Sequence, residues 1–326
     1  MTGATKLTIY FGERARAGGD GWLADALIDV AARHRLATSL LLRGVEGFGA
    51  HHGLRTDRLL TMSEDLPLVA VAVDTRERID AALADIERLK PFGGLITQER
   101  AQLVRTPDEA RVAVAALDGG PLKLTAYVGR RERPRDVVGL LAARGIAGAT
   151  ALLGVDGTRH GERQRARFFA RNAQVPVMVL AVGDGDRIAA VLPELMDALT
   201  APPLLTLERV AIGVPPPEPG AWTKLMAYSS DRSAHQRLVA ALRRERAPGA
   251  TTLSGFWGYH GDVAPHGDVA PHGDRPLQVV RRVPLVTIAL AEPEVAATAH
   301  LPLARETLGP GALVTAETVP VGDAAR

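Results

Sequence analysis

Three times along its length this chain writes the pattern K-L-x-x-Y, at Lys6–Tyr10, Lys123–Tyr127 and Lys224–Tyr228, although it holds only four tyrosines in all. Each occurrence is followed by G-x-x-G (Gly44/Gly47, Gly154/Gly157, Gly255/Gly258). An apolar run opened by Pro67, Pro176 or Pro284 comes next, and then L-x-T-x-E (Leu95–Glu99, Leu204–Glu208, Leu313–Glu317). A period near 100 residues is too long for a solenoid repeat, so each copy is predicted to be a small domain of its own. The expected modules are residues 6–105, 123–212 and 224–320.

The second copy is the shortest and the clearest. Leu122–Val128 reads as a strand, and Val137, Val138, Leu140 and Leu141 as the apolar face of a helix ending at Gly145. A second strand follows at Gly148–Gly154, matched by Gly249–Gly255 and Thr38–Gly44. Val175–Val182 is an uninterrupted apolar run of the kind a central strand shows. Ile188, Val191, Leu192, Leu195 and Leu199 then recur at helical spacing before the closing L-x-T-x-E strand. The predicted order is βαββαβ, an α+β module of ferredoxin-like type. From the proline of the third strand to the threonine of the last, the spacing is 30, 30 and 31 residues (67 to 97, 176 to 206, 284 to 315). Other segments vary. The first module carries about seven extra residues around Glu13–Gly21, and the third duplicates G-D-V-A-P-H at Gly261–His266 and Gly267–His272. Thr106–Gly120 and the proline-rich Gly213–Gly220 read as linkers.

Composition narrows the function classes. The absence of cysteine excludes disulfides, thiolate nucleophiles and cysteine-ligated metals. The formal net charge is only +2, with no basic stripe or tail, which argues against nucleic acid as a partner. No apolar run approaches the roughly 18–20 residues that span a bilayer, and the N-terminus lacks a signal-peptide pattern; a soluble, cytoplasmic protein is expected. No nucleophile–base–acid set and no Walker or dinucleotide fingerprint is present, so catalytic residues are not assigned and a non-enzymatic role is expected.

Gly47-Phe48-Gly49-Ala50-His51-His52-Gly53 resembles the start of the T-loop of PII-type signalling proteins, which read G-F-G-R-Q-K-G. The first module, in Leu42–Gly49 and Ser63–Pro67, more closely resembles the PII-like family called domain of unknown function 190 (uncharacterised protein family 0166), and the other two modules are diverged copies. The resemblance implies ligand clefts between neighbouring subunits of a threefold assembly, so three modules in one chain imply a monomeric pseudo-trimer. It also implies a small anion or nucleotide as ligand. Because family members are often encoded beside small fluoride-exporting channels, a membrane ion channel is implied as partner. Ala50, His51 and His52 stand where PII proteins have R-Q-K, so the residues that serve Mg-ATP and 2-oxoglutarate there are absent. No cofactor is assigned.

The candidate ligand-binding residues are Gly44, Gly47, Phe48, Gly49, His51, His52, Gly154, Gly157, Gly255 and Gly258. Glycines at the base of a loop bare N–H groups to an anion, or they simply turn the chain after an edge strand. His51, His52, His160, His260, His266 and His272 all fall in the hairpin after the second strand, where imidazoles could gather around Zn, Ni or Cu; a metal-binding or metal-tolerance protein is the alternative reading. Glu99, Glu208 and Glu317 alternate with apolar residues and read as outward-facing carboxylates. Lys6, Lys123 and Lys224 either meet those carboxylates across neighbouring strands or bind an anion. Arg14, Arg16, Arg130, Arg131, Arg133 and Arg232 follow the first strands as solvated loop residues or as a phosphate clamp.

Overall fold

A computed structural model describes residues 3–18, 21–49, 53–57, 65–89, 94–117, 119–164, 176–199, 204–213, 218, 220–261, 265–267 and 282–320. The first module runs β1 (Gly3–Gly12), α1 (Leu23–Arg33), β2 (Thr38–Phe48), β3 (Arg55–Thr56), β4 (Pro67–Asp74), α2 (Arg76–Glu87) and β5 (Leu95–Val104). After α3 (Pro107–Leu117), the second has β6 (Pro121–Gly129), α4 (Pro134–Ala143), β7 (Gly148–Arg159), β8 (Glu162–Arg163), β9 (Pro176–Asp184), α5 (Gly185–Ala198) and β10 (Leu205–Arg209). The third has β11 (Ala221–Ser229), α6 (Arg232–Arg244), β12 (Ala250–His260), β13 (His266–Gly267), β14 (Leu285–Ala291), α7 (Pro293–Val295), a π-turn (Ala296–His300), α8 (Leu301–Leu308) and β15 (Leu313–Pro320). The chain is thus a mixed α/β protein with a large antiparallel sheet. No helix among the described residues is long and apolar enough to cross a membrane.

The long strands pair in the same order in each copy: β5-β1-β4-β2, β10-β6-β9-β7 and β15-β11-β14-β12. Strand alternation then sorts the side chains. Leu7 and Ile9 join the helix-side core of the first copy, as Leu124 and Ala126 do in the second and Leu225 and Ala227 in the third. The intervening residues turn to the other face, where Val69, Val71, Leu180, Val182, Val286 and Ile288 form one core shared by all three copies. Both faces of β4, β9 and β14 are therefore buried, which is why these strands read as unbroken apolar runs.

The second strand is longer than its sequence pattern suggested, and its extra half joins one copy to the next. Residues 38–42 of β2 pair with 154–159 of β7, 148–152 of β7 with 255–260 of β12, and 250–253 of β12 with 44–48 of β2. Each of these pairings carries a register shift near one end. A further pairing joins β5 to β10, and an isolated bridge links Ala211 to Ala316.

Two segments differ from their sequence reading. Thr106–Gly120 contains the helix α3 rather than an open linker: Pro107 opens it, Asp108 and Glu109 sit in its first turn, and Ala110 and Ala113 are buried in the second copy's core. The one extra residue between Pro284 and Thr315 is taken up by the π-turn at Ala296–His300, since a π-turn accommodates a single inserted residue within a helix.

Candidate functional site

The register of β1 against β5 sets Lys6 opposite Glu99, and the same register sets Lys123 opposite Glu208 and Lys224 opposite Glu317. All six point into the face shared by the three copies and are buried. Lys6 reaches Glu99 at 2.8 Å and Glu208 at 2.5 Å; Lys123 contacts Glu208 and, at 2.5 Å, Glu317; Lys224 reaches Glu317 at 3.0 Å and Glu99 at 2.8 Å. The result is a closed ring of alternating charge in which every ammonium lies between one carboxylate of its own copy and one of another. Thr8 and Thr97 each donate to Glu99 at 3.0 Å.

The ring corrects the reading of Glu99, Glu208 and Glu317 as outward-facing carboxylates. Alternation does turn them away from the helix-side core, but the opposite face meets the other two copies instead of water. Burial favours the neutral form of each group and the opposite charges resist it. At Lys6 and Lys224 the neighbouring glutamates prevail over burial and hold the ammonium above its ordinary range. Glu99 and Glu317 are held below the usual carboxylate range against burial, by Lys224 and Lys6 at Glu99 and by Lys123 and Lys224 at Glu317. Lys123 is the most enclosed of the lysines, and there burial wins and lowers the pKa. With both sides of each lysine occupied by carboxylate, the ring leaves no lysine facing an external anion.

The paired glycines lie inside β2, β7 and β12, not at the base of a loop. None of them has a positive φ. A Cβ on Gly47, Gly157 or Gly258 would collide with the carbonyl oxygen of Ala250, Ser39 or Ala149 of the neighbouring copy. At Gly44 it would meet the ring of Pro67 at 2.7 Å, and at Gly255 the ring of Pro284 at 2.9 Å; at Gly154 it would lie 2.9 Å from the carbonyl oxygen of Pro176. The glycines therefore allow strands of adjacent copies to cross against the prolines. Phe48, at the end of β2, is buried in the helix-side core of the third copy, and Tyr259, at the matching place in β12, in that of the second. Gly49 faces open space.

Beyond the glycines each hairpin reaches the first helix of the next copy. Arg163 of β8 donates to Asp25 and Asp29 of α1, both at 2.6 Å, and to its own Asp156. Asp57, just past β3, accepts from Arg232 of α6 at 2.5 Å. Trp257 of β12 lies under the guanidinium of Arg135 of α4, 4.8 Å from the ring centre. The docking is cyclic: first copy on third, second on first, third on second. These contacts were missed because single residues carry them and no two copies use the same pair.

Of the six hairpin histidines, three fall among the described residues, and His266 lies close enough to His260 to act on it. His51, His52 and His272 lie outside the described residues. His160 is exposed at a positive φ of 53°, His266 shares a 2.6 Å hydrogen bond with Ser230, and His260 is buried with its ring 5.8 Å from that of Tyr228. Among the described residues, the one group of three or more potential metal-binding side chains with ligand atoms within 4.8 Å of one another is Glu99, Glu208 and Glu317, already engaged by lysines. The arginine loops are likewise engaged in part. Arg16 stacks on Trp22 at 3.4 Å, and the backbone N–H of Arg14 donates to Asp65 at 2.7 Å.

A polar cluster absent from the other copies was also missed. His235 Nδ1 is 2.6 Å from the hydroxyl of Thr287, which lies 2.8 Å from that of Thr252. By strand register and helix position the other copies place Ala24, Ala70 and Leu41, or Pro134, Val179 and Ala151, at these three points. The comparison among copies was the signal that could have found it.

The model of the DUF190 family, described as Uncharacterized ACR, COG1993, matches residues 4–103, 122–212 and 223–321. The chain belongs to this family and carries three tandem copies of its domain. Among solved structures, aspartate kinase from Synechocystis is similar with 12% identity and a TM-score of 0.26, over 97% of this chain and 51% of that one. The chain thus spans about half the length of that protein.

Proposed function

We propose that residues 6–105, 123–212 and 224–320 are three ferredoxin-like, PII-like modules forming a single-chain pseudo-trimer. In this reading the protein is a non-catalytic regulator that binds a small anionic ligand or nucleotide at the clefts between modules. The observation that carries it is the cyclic docking of each hairpin on the first helix of the next module. A ligand entering between two modules has to displace or tighten such a contact, and so converts occupancy into a change at the hairpin that a partner can read. The three junctions differ in chemistry, so the clefts are unequal in affinity. A fluoride-exporting membrane channel is the partner proposed from the family resemblance.

Native mass spectrometry of the chain purified from its own cells tests the reading. The expected result is a single 34.5 kDa chain carrying additional bound mass, whose removal raises hydrogen exchange at Asp57, Arg163 or Trp257. A stable trimer of chains, or bound mass whose removal leaves all three hairpins unchanged, would overturn it.

A further inference from the structure

In the first two copies the C-terminal end of the first helix is neutralised by an acid on the second helix. His34 lies 2.9 Å and Arg33 3.8 Å from Asp85, and Arg144 lies 2.6 Å from Glu194. The third copy breaks this pattern. Its first helix ends in Arg243-Arg244-Glu245-Arg246, aligned with the others by the left-handed residue that closes each helix (Arg35, Gly145 and Arg246, φ 48°, 68° and 57°). On the second helix, Leu83-Ala84-Asp85 and Leu192-Pro193-Glu194 become Leu301-Pro302-Leu303 once the π-turn residue is counted. Leucine stands where the acid was, and Glu245 stands where His34 and Arg144 met it.

The end of α6 borders an open groove of about 720 Å³ lined by Ala240, Arg243, Arg244 and Arg246. All three arginines are exposed, and among the described residues none of them forms an ion pair. The second copy complements the same helix end with Arg144 alone, so three arginines are more than the helix dipole requires. Glu245 and the helix end, which carries roughly half a negative charge, oppose an anion, yet the three guanidiniums outweigh them. The volume falls in the range of small-molecule sites, roughly 300–1,000 Å³. Guanidinium forks suit phosphate oxygens better than a point charge does.

We propose that this groove, on the helical face of the third module and apart from the clefts, binds a small soluble anion bearing phosphate groups. The test titrates inorganic pyrophosphate into the full chain by calorimetry at low salt. It compares the wild type with R243Q/R244Q and with L303E, which restores the acid of the sister copies. Saturable binding is expected in the wild type, at least tenfold weaker in R243Q/R244Q and several-fold weaker in L303E, with unchanged thermal midpoints for R243Q/R244Q. No saturable binding, or equal binding by wild type and R243Q/R244Q, overturns the proposal. So does binding confined to phosphatidylglycerol vesicles, which would make the patch a membrane contact. Both variants lie outside the module clefts, so a failure here leaves the retained ligand mass of the native protein unaffected.

Discussion

Lys6 reaches across a module boundary to Glu208, with its ammonium 2.5 Å from Oε1 and 2.7 Å from Oε2. Its strand partner, however, is Glu99 of its own module. One side chain therefore ties a register within a module to the seating of the next, and Lys123 and Lys224 do the same. Buried pairs of this kind gain little over apolar packing, but losing one member leaves its neighbours short of counter-charge with no water to replace it.

Glu208→Ala is expected to cost about 3–5 kcal/mol in urea unfolding, because it leaves Lys6 and Lys123 each short of a carboxylate. Glu194→Ala, which removes the half-exposed partner of Arg144, should cost less than about 1 kcal/mol. Equal costs for the two variants would remove the ring from any role in stability.

Gly47 and Gly49 are two residues apart and should respond oppositely to substitution. A methyl at Gly47 meets the carbonyl of Ala250, whereas Gly49 has nothing within 4 Å. Gly47→Ala should lower stability by roughly 1–3 kcal/mol through overpacking, and Gly49→Ala should stay within about 0.5 kcal/mol. Because neither residue has a positive φ, the difference tests close approach of two strands and not backbone strain.

The contrast at these glycines also explains what was legible in the sequence. Within a module, periodicity sufficed: Val177, Val179 and Ala181 alternate with Met178, Leu180 and Val182 because the strand is covered on both faces, and the sequence shows that as one apolar run. Whether the second face meets water or another module is not encoded in alternation, so Glu99 read as exposed although it is 3% exposed. The extension of β2 through Phe48 was hidden for the same reason, since its pairing partner is Ala250, some two hundred residues away. Comparing the copies position by position recovers part of this. His235 stands against Ala24 and Pro134, and Leu303 against Asp85 and Glu194.

Deleting Gly267–His272 should leave the third module folded. The deletion brings Gly273 directly after His266, regenerating the His-Gly pair that hydrogen bonds with Gly258 and Trp257 in β12. A circular dichroism melt within a few degrees of wild type is the expected outcome. Loss of the cooperative transition would show that the second copy of the hexapeptide is structurally required.

The buried histidines of the third module give stability a pH dependence whose sign follows from their environment. Burial, with a contribution from His260, pushes His235 down to about 4, and burial with a contribution from His266 pushes His260 down to about 4. Asp231, the other charged group near His235, acts weakly in the opposite sense. Both imidazoles are neutral in the folded state at pH 7, and the unfolded chain protonates them near the ordinary value of about 6.5. Between about pH 6.5 and 4 the unfolded state binds protons that the folded state refuses, so stability is complete above 6.5 and falls as the pH drops through that window. Glu99 and Glu317 of the ring have depressed pKa values and add their own loss only below about 4.5. Each histidine accounts for on the order of 3 kcal/mol across the window. His260→Asn should therefore unfold less steeply than wild type between pH 7 and 5 in urea titrations, while His160→Asn, at an exposed site, should track it. Parallel curves for wild type and His260→Asn would mean that His260 charges as readily in the folded protein as in the unfolded one.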